Sequence, residues 1–236
     1  AMNKGADIKN LFQDEPITES AEMTAMYQKI YSMAVTYGTK GTAGYKDKKL
    51  LENIKYALDW MYDNIYGDNV VNKTAGWRSP YIFNWWDWMI GSPNYLVSTL
   101  IIMENDLEYE DICKYLSPVH TLLEKPDSDF GANTADETQI LIGAAALEKD
   151  AKAFVKARRY IEPLMRYRDS GNGFHRDGSY IYHNIHPYNG GYGLTHFSNL
   201  ARLSTLLEGS KLEISNPMKY NIFDMAYNSF ESIVYK

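Results

Sequence analysis

Three stretches of the chain bring together residue types that can hold or react with a sugar or an anion. In Asn84-Trp85-Trp86-Asp87-Trp88-Met89-Ile90-Gly91-Ser92-Pro93, three tryptophans occupy four positions. At helical spacing they cannot all face one core, so at least one must lie on a surface. Indole faces stack on the C–H faces of sugar rings, so Trp85 and Trp86, flanked by Asn84, could form a polysaccharide platform; a helix junction that merely packs is the alternative. In Phe130-Gly131-Ala132-Asn133-Thr134-Ala135-Asp136, Gly-Ala-Asn precedes a helical pattern. Asn133 reads either as that helix's N-cap or as an amide donor beside an anionic group at the positive helix N-terminus. Gly173 to Gly193 carries His175, His183 and His186, Tyr180, Tyr182, Tyr188 and Tyr192, and repeated glycines. Long ordered loops of this kind are costly to order and usually functional. A metal site on His183 and His186 lacks a carboxylate at helical spacing and an HExxH pattern. A Ser-His-Asp site would need a GxSxG elbow, which the sequence does not contain.

The elements that would position these stretches are helical. Residues 1–17 read as a lead-in, and from Thr18 the apolar residues Met23, Met26, Tyr27, Ile30, Met33, Ala34 and Tyr37 recur at offsets of three and four. A second helix carries Leu50, Ile54, Ala57, Met61 and Ile65 and is closed by Gly67-Asp68-Asn69. Trp85 to Glu104 predicts a short helix, a break at Gly91-Ser92-Pro93 and a buried helix from Pro93. Glu108 to Glu124, two helices within Thr134 to Arg168, Thr195 to Glu208 and Pro217 to Lys236 complete the set. Only Ser179 to His183 alternates as a strand, too short to organise a sheet. The expected class is all-α, built of antiparallel helix pairs with function gathered in long loops. The terminal pattern of Ile222, Met225, Ala226, Ser229 and Ile233 carries no stop signal, so the chain reads as part of something longer.

Composition narrows the partners. The 236 residues hold 24 Lys+Arg against 30 Asp+Glu, a net charge of −6, which argues against wholesale binding of nucleic acid or an anionic membrane. An anionic ligand must therefore be met by local donors. The 20 Tyr and 5 Trp beside 8 Phe favour surfaces where a ring has one apolar and one wet edge, as in a binding groove. The single cysteine, Cys113, excludes an internal disulfide framework. No apolar run is long enough to span a bilayer, and no signal peptide is read after Ala1-Met2, ahead of which a leader could have been removed.

Taken in order, the Asn-Trp-Trp-Asp-Trp block with Ile-Gly-Ser-Pro, the Gly-Ala-Asn and the Asp-Gly-Ser-Tyr-Ile-Tyr-His with closing Gly-Tyr-Gly resemble polysaccharide lyase family 8, the hyaluronate, chondroitin AC and xanthan lyases. Each piece alone is weak, and the ordered combination is specific. The resemblance implies an incomplete α/α toroid over residues 18–236, normally followed by β-sandwich domains that this chain does not contain. It implies metal-independent β-elimination of a uronic-acid polysaccharide with no cofactor, in a secreted or cell-surface protein of bacterial type. By motif position, Asn133 corresponds to the carboxylate-binding asparagine, His183 to the catalytic histidine and Tyr192 to the catalytic tyrosine. Asn84, Trp85, Trp86 and Phe130 would contact substrate. Met89 stands where the family commonly has an acidic residue, and Asn94 where a basic one is frequent, which bears on subsite preference.

The chemistry accounts for those types. A uronate C5 proton is weakly acidic because its carboxylate is already negative, so donors that neutralise the carboxylate are the main need. A base must then take the C5 proton and an acid must protonate the departing O4. Tyr192 with a lowered pKa could do both, and a neutral His183 is the other candidate base. The family's arginine stretch would follow Lys236, so the 236-residue chain assayed alone is expected to be inactive or impaired. Two other readings use the same residues. An α/α-toroid glycoside hydrolase would draw a carboxylate pair from Asp87, Asp136 and Asp177. A non-catalytic module would keep only the tryptophan platform.

Overall fold

The structure, a computed structural model, describes residues 2–5, 8–13, 19–71, 84–127, 130–214 and 217–234. They form two compact units, Ala1–Glu124 with Ala146–Lys149, and Lys125–Ala145 with Asp150–Lys236. Both are predominantly helical, as the periodicity requires.

In the first unit, α1 (Ser20–Gly38) buries its expected stripe, including Met23, Met26, Tyr27, Ile30, Ala34 and Tyr37. It begins two residues after the expected Thr18, which lies outside the described residues. Glu19 and Glu22 cap each other's backbone instead, the Glu19 N–H donating to Glu22 Oε2 at 2.9 Å. α2 (Lys48–Asn64) starts at Asp47, whose carboxylate accepts the Leu50 N–H at 2.7 Å. The stop expected at Gly67-Asp68-Asn69 falls three residues earlier, after Asn64, and a separate turn, α3 (Asp68–Val71), follows. The Asp68 carboxylate there accepts the Ser117 hydroxyl at 2.7 Å.

No break precedes α4 (Ser92–Met103). Trp85 and Trp86 are helical, and a π-helical turn, Asp87–Gly91, carries the chain directly into α4. Pro93 has no N–H to offer the ladder, and the Ser92 N–H reaches back five residues to the Asp87 carbonyl. The turn is widened where a break was expected. α4 packs chiefly on α1, burying Leu96, Leu100 and Met103. α5 (Tyr109–Leu122) completes the unit and tolerates the buried Pro118 within it.

The second unit opens with α6 (Ala132–Leu147), followed by α7 (Ala151–Arg158) and α8 (Ile161–Leu164). The second of the two helices expected up to Arg168 is thus divided at Arg159-Tyr160. The segment read as loop does organise a sheet, a small one: β1 (Gly173–Phe174), β2 (Tyr180–Tyr182) and β3 (His186–Pro187) pair antiparallel in the order β1-β2-β3. A second π-helical turn, Asn189–Gly193, runs into α9 (Leu194–Leu207), and α10 (Asn221–Phe230) closes the described fold. The terminal helix stops earlier than its periodicity suggests. Phe230 leaves helical dihedrals (φ −125°), its ring meeting Phe174 at 6.1 Å and Phe197 at 5.3 Å, and a 3₁₀ turn, Glu231–Ile233, follows. The core joins Ile161 and Leu164 of α8, Phe174, Tyr180 and Tyr182 of the sheet, Leu200 and Leu203 of α9 and Met225 of α10.

The tyrosine excess is only partly a surface feature. Tyr37, Tyr66, Tyr115 and Tyr180 are buried, and each hydroxyl has a partner: Asp106 at 2.8 Å, the Trp88 carbonyl at 2.7 Å, Asp59 at 2.9 Å and His196 at 3.2 Å. A satisfied phenol can occupy a core at no hydrogen-bonding loss. Among the described residues no helix is long and apolar enough to cross a membrane.

Candidate active site

His183 and Tyr192 come together on the sheet and the turn that follows it. Tyr192 stacks on Tyr182 with ring centroids 3.9 Å apart and planes at 22°. Its edge meets the His183 ring at 5.5 Å and 87°, and the Tyr188 ring at 5.0 Å. Tyr182 in turn stacks on the fully buried Tyr180 at 6.4 Å. An aromatic ladder therefore runs from the core to the exposed His183 imidazole.

The loop geometry is enforced. His183 and Asn184 have φ of +50° and +66°, a left-handed pair that turns β2 into β3. Such dihedrals cost on the order of 1–3 kcal/mol for a non-glycine residue and persist where the surroundings fix them. Asn172 supplies part of that fixation, its Oδ1 accepting the Asn184 N–H at 2.8 Å. The π turn is held by Asn189: its Oδ1 accepts the Tyr180 N–H, and its Nδ2 donates to the Gly178 and Ser229 carbonyls, each at 2.9 Å. The Gly193 N–H reaches back to the Tyr188 carbonyl at 3.0 Å, closing the wide turn that contains Tyr192.

Asn133 is not the N-cap of its helix. α6 begins at Ala132, and the Gly131 carbonyl accepts the first ladder bond, from Ala135 at 3.1 Å. Gly131 is therefore the cap, and Asn133 lies in the first turn among the N–H groups that a helix leaves unpaired. Its half-buried side chain forms no hydrogen bond with another described residue, leaving the amide available to a ligand. Phe130, three residues earlier, has φ +54°, an outlier for a bulky side chain. Phe130 and Tyr192 both pack against the core of the second unit.

Asn84, Trp85 and Trp86 belong to the first unit. Trp86 is 36% exposed, the surface indole that the spacing required, while Trp85 is half-buried. Asp87 anchors this segment: its carboxylate accepts the Ser20 hydroxyl at 2.7 Å and the Thr24 hydroxyl at 2.8 Å, and Ser20 Oγ accepts the Asn84 N–H at 3.1 Å. Both Asp87 oxygens are thereby engaged and the side chain is buried, so its observed part is to hold this segment on α1.

The chain matches, over residues 1–236, the family described as polysaccharide lyase family 8, N-terminal alpha-helical domain. It belongs to polysaccharide lyase family 8. Among relatives, it is 31% identical over 225 residues to the xanthan lyase of Bacillus sp. (strain GL1), covering 92% of this chain and 23% of that one. It is also 31% identical over 229 residues to a hyaluronate lyase of Thermasporomyces composti, covering 96% and 28%. The solved structure of Paenibacillus xanthan lyase superposes with a TM-score of 0.86 at 30% identity, covering 99% of this chain and 22% of that one. The Streptomyces coelicolor A3 chondroitin AC lyase, solved with chondroitin sulphate, gives a TM-score of 0.86 at 24% identity over 96% and 30%, a likeness of fold. The chain thus spans 22% to 30% of the length of these four proteins.

Within this family 8 domain, the sequence reading did not single out Asn189 or His196, and it named Asp136 only as a hydrolase carboxylate. An asparagine opening a Gly-Gly run, as Asn189 does, gave only a turn signal. His196 is buried in α9 between Tyr180 and the Leu164 carbonyl. A carbonyl can only accept, so Nε2 carries the proton at 3.0 Å and Nδ1 accepts the Tyr180 hydroxyl at 3.2 Å. Asp136, also buried, accepts Asn199 Nδ2 at 2.6 Å; burial pushes its carboxyl up to about 6, against the opposing pull of Asn199 and Arg202.

Proposed function

We propose that this chain is the helical module of a lyase that cleaves a uronic-acid-containing polysaccharide of the hyaluronan, chondroitin or xanthan type by metal-independent β-elimination. The observation that carries the reading is the edge contact of His183 with Tyr192, on a turn fixed by left-handed backbone and by Asn189, in a chain of family 8. Such fixation is what proton transfer between a sugar carbon and its leaving oxygen demands.

In this reading Asn133 donates its amide hydrogens to the uronate carboxylate and stabilises the negative charge that builds as the C5–H bond weakens. The His183–Tyr192 pair takes the C5 proton, the C5–H electrons become the C4–C5 double bond, and the C4–O4 bond breaks. The pair then delivers a proton to O4. Trp86, Trp85 and Asn84 hold the polymer, the indoles against its sugar faces, and Phe130 supports the reacting end. We extend the reading to a secreted or cell-surface setting, where a polymer too large to enter a cell would meet the enzyme. A hydrolase is less well supported, because Asp87 is engaged by two hydroxyls and exposed Asp177 by the Ser179 backbone and hydroxyl.

The test is the product. Hyaluronan, chondroitin and xanthan are incubated with this chain and with a form extended to the length of the relatives. A lyase releases unsaturated uronate absorbing in the near ultraviolet, with the extended form the more active. Chain cleavage without that absorbance would replace the lyase with a hydrolase, and binding without cleavage by either form would leave a carbohydrate-binding module.

A further inference from the structure

A residue that no motif singled out, Arg168, is held beside Phe130 with its charge unspent. Its backbone N–H donates to the Phe174 carbonyl at 2.7 Å, which fixes it against β1. Its stem lies over Gly173, where an added Cβ would stand 2.8 Å from Arg168 Cγ. Gly173 also has φ +120°, so glycine is required there twice over. The guanidinium sits 5.3 Å from the centroid of the Phe130 ring. These contacts use the backbone, the stem and the nearness of the guanidinium charge to the ring, and none is a hydrogen bond from its side-chain N–H groups. Among the described residues no carboxylate pairs with Arg168 and no acceptor takes its side-chain N–H groups. Arg158 of the same unit is the contrast: Nε and Nη2 donate to the Leu212 and Glu213 carbonyls at 2.6 and 2.8 Å, and Nη1 stands 3.7 Å from Glu162.

The surroundings of Arg168 are those of the candidate site. Phe130, whose strained backbone turns the chain into α6, lies three residues before Asn133. Gly173 follows Asn172, which holds the His183-Asn184 turn. A guanidinium held beside a ring by a fixed backbone and a packed stem loses little freedom on binding and presents parallel N–H groups that match a carboxylate or sulfate. In a chain of net charge −6, a polyanion needs such local cations. Resting on the lyase reading above, we propose that Arg168 is a substrate-binding residue that takes an anionic substituent, carboxylate or sulfate, of the polysaccharide at this site.

The experiment measures binding of hyaluronan and chondroitin sulfate oligosaccharides to the 236-residue chain by calorimetry at low and moderate salt. Arg168→Met keeps the stem over Gly173 and removes the charge, Arg168→Gln is a second neutral variant should the first not fold, and Arg168→Lys keeps the charge. Expected are about ten-fold weaker binding by the neutral variant, a shallower salt dependence and partial recovery in Arg168→Lys. Wild-type affinity and salt dependence in a folded neutral variant would overturn the assignment of Arg168 while leaving the lyase reading intact. Failure of the wild-type chain to bind either polymer would count against that reading and the inference with it.

Discussion

The turn Asp87–Gly91 before α4 and the turn Asn189–Gly193 before α9 each carry a hydrogen bond five residues back, end on a glycine beneath an aromatic ring and begin with a polar side chain that reaches into its own unit. Their anchors differ. Asp87 can only accept, so it needs donors, and Ser20 and Thr24 of α1 provide hydroxyls. Asn189 both accepts and donates, so it clamps three backbone groups directly. The displayed aromatics differ to match: Trp86 lies at the surface, while Tyr192 is wedged among Tyr182, Tyr188 and His183. A platform that stacks on sugars tolerates some play. A phenol that moves protons does not.

The comparison breaks most visibly at Tyr192. In an active extended form, Tyr192→Phe is expected to lower kcat by about a thousand-fold while sugar affinity persists, because the ring stack survives and only the proton carrier is lost. Turnover within a few-fold of wild type would make the second turn another binding element.

Exchanging the anchors comes next. Asn189→Asp sets carboxylate oxygen against the Gly178 and Ser229 carbonyls and is expected to cost about 3 kcal/mol, roughly a 10 °C fall in Tm. Asp87→Asn is expected to cost no more than about 1 kcal/mol, because the Thr24 hydroxyl can turn its proton toward Ser92 Oγ, 3.1 Å away. Equal losses in thermal melts would remove the distinction between the two anchors.

A smaller effect concerns Asp136, a buried acid of α6. Its folded carboxyl titrates at about 6, above the roughly 3.9 of an unfolded aspartate. Between those values the native state binds more protons than the unfolded one, so this residue's contribution falls as pH rises from about 4 to about 6, by about 2 kcal/mol. Asp136→Asn retains an acceptor for Asn199 and should remove that portion of the pH dependence, read as the wild-type minus variant difference in denaturant stability at pH 4.5 and 7. A difference that does not vary with pH would mean that Asp136 is fully compensated.

The two closing glycines supply the finest contrast. A Cβ on Gly91 would stand 2.5 Å from the outer edge of the Trp86 ring, which is exposed enough to swing aside, and 2.9 Å from Thr24 Oγ1, which Asp87 and Ser92 hold in place. One on Gly193 would stand 3.0 Å from Cβ and Cγ of buried Tyr180. Gly193→Ala should therefore cost about 1–2 kcal/mol, and Gly91→Ala at least as much while also altering indole fluorescence and sugar affinity. A markedly smaller loss in Gly91→Ala would show the tryptophan segment to be the more yielding of the two.

Much of this was legible in the residues. The apolar stripes of α1 and α2 follow from local rules, and three tryptophans in four positions required one at the surface. Both wide turns were not legible, because a π turn differs from a break by a single long-range bond and no residue type marks it. The alternation of Ser179 to His183 marked β2, but its partners β1 and β3 are two residues each and carry no period to detect; the sheet exists through Asn189 and the burial of Phe174 and Tyr180. Asn133 and His183 could be named from motif order, but not the left-handed backbone that aims His183 or the placement of Asn133 past its cap. Arg168 left no trace in the sequence, since its environment is assembled from Phe130, Gly173 and Phe174.

A π turn is in effect an α-helical turn with one residue inserted. Deleting a single residue between Asn189 and Tyr192 would preserve every side chain named at this site and leave Tyr192 at its present distance in sequence from α9. It would also rotate the phenol by about 100° with respect to its anchor. The orientation of the candidate acid–base group is therefore encoded in spacing as much as in identity, and a one-codon deletion among the glycines could silence the site while composition and helical content scarcely changed.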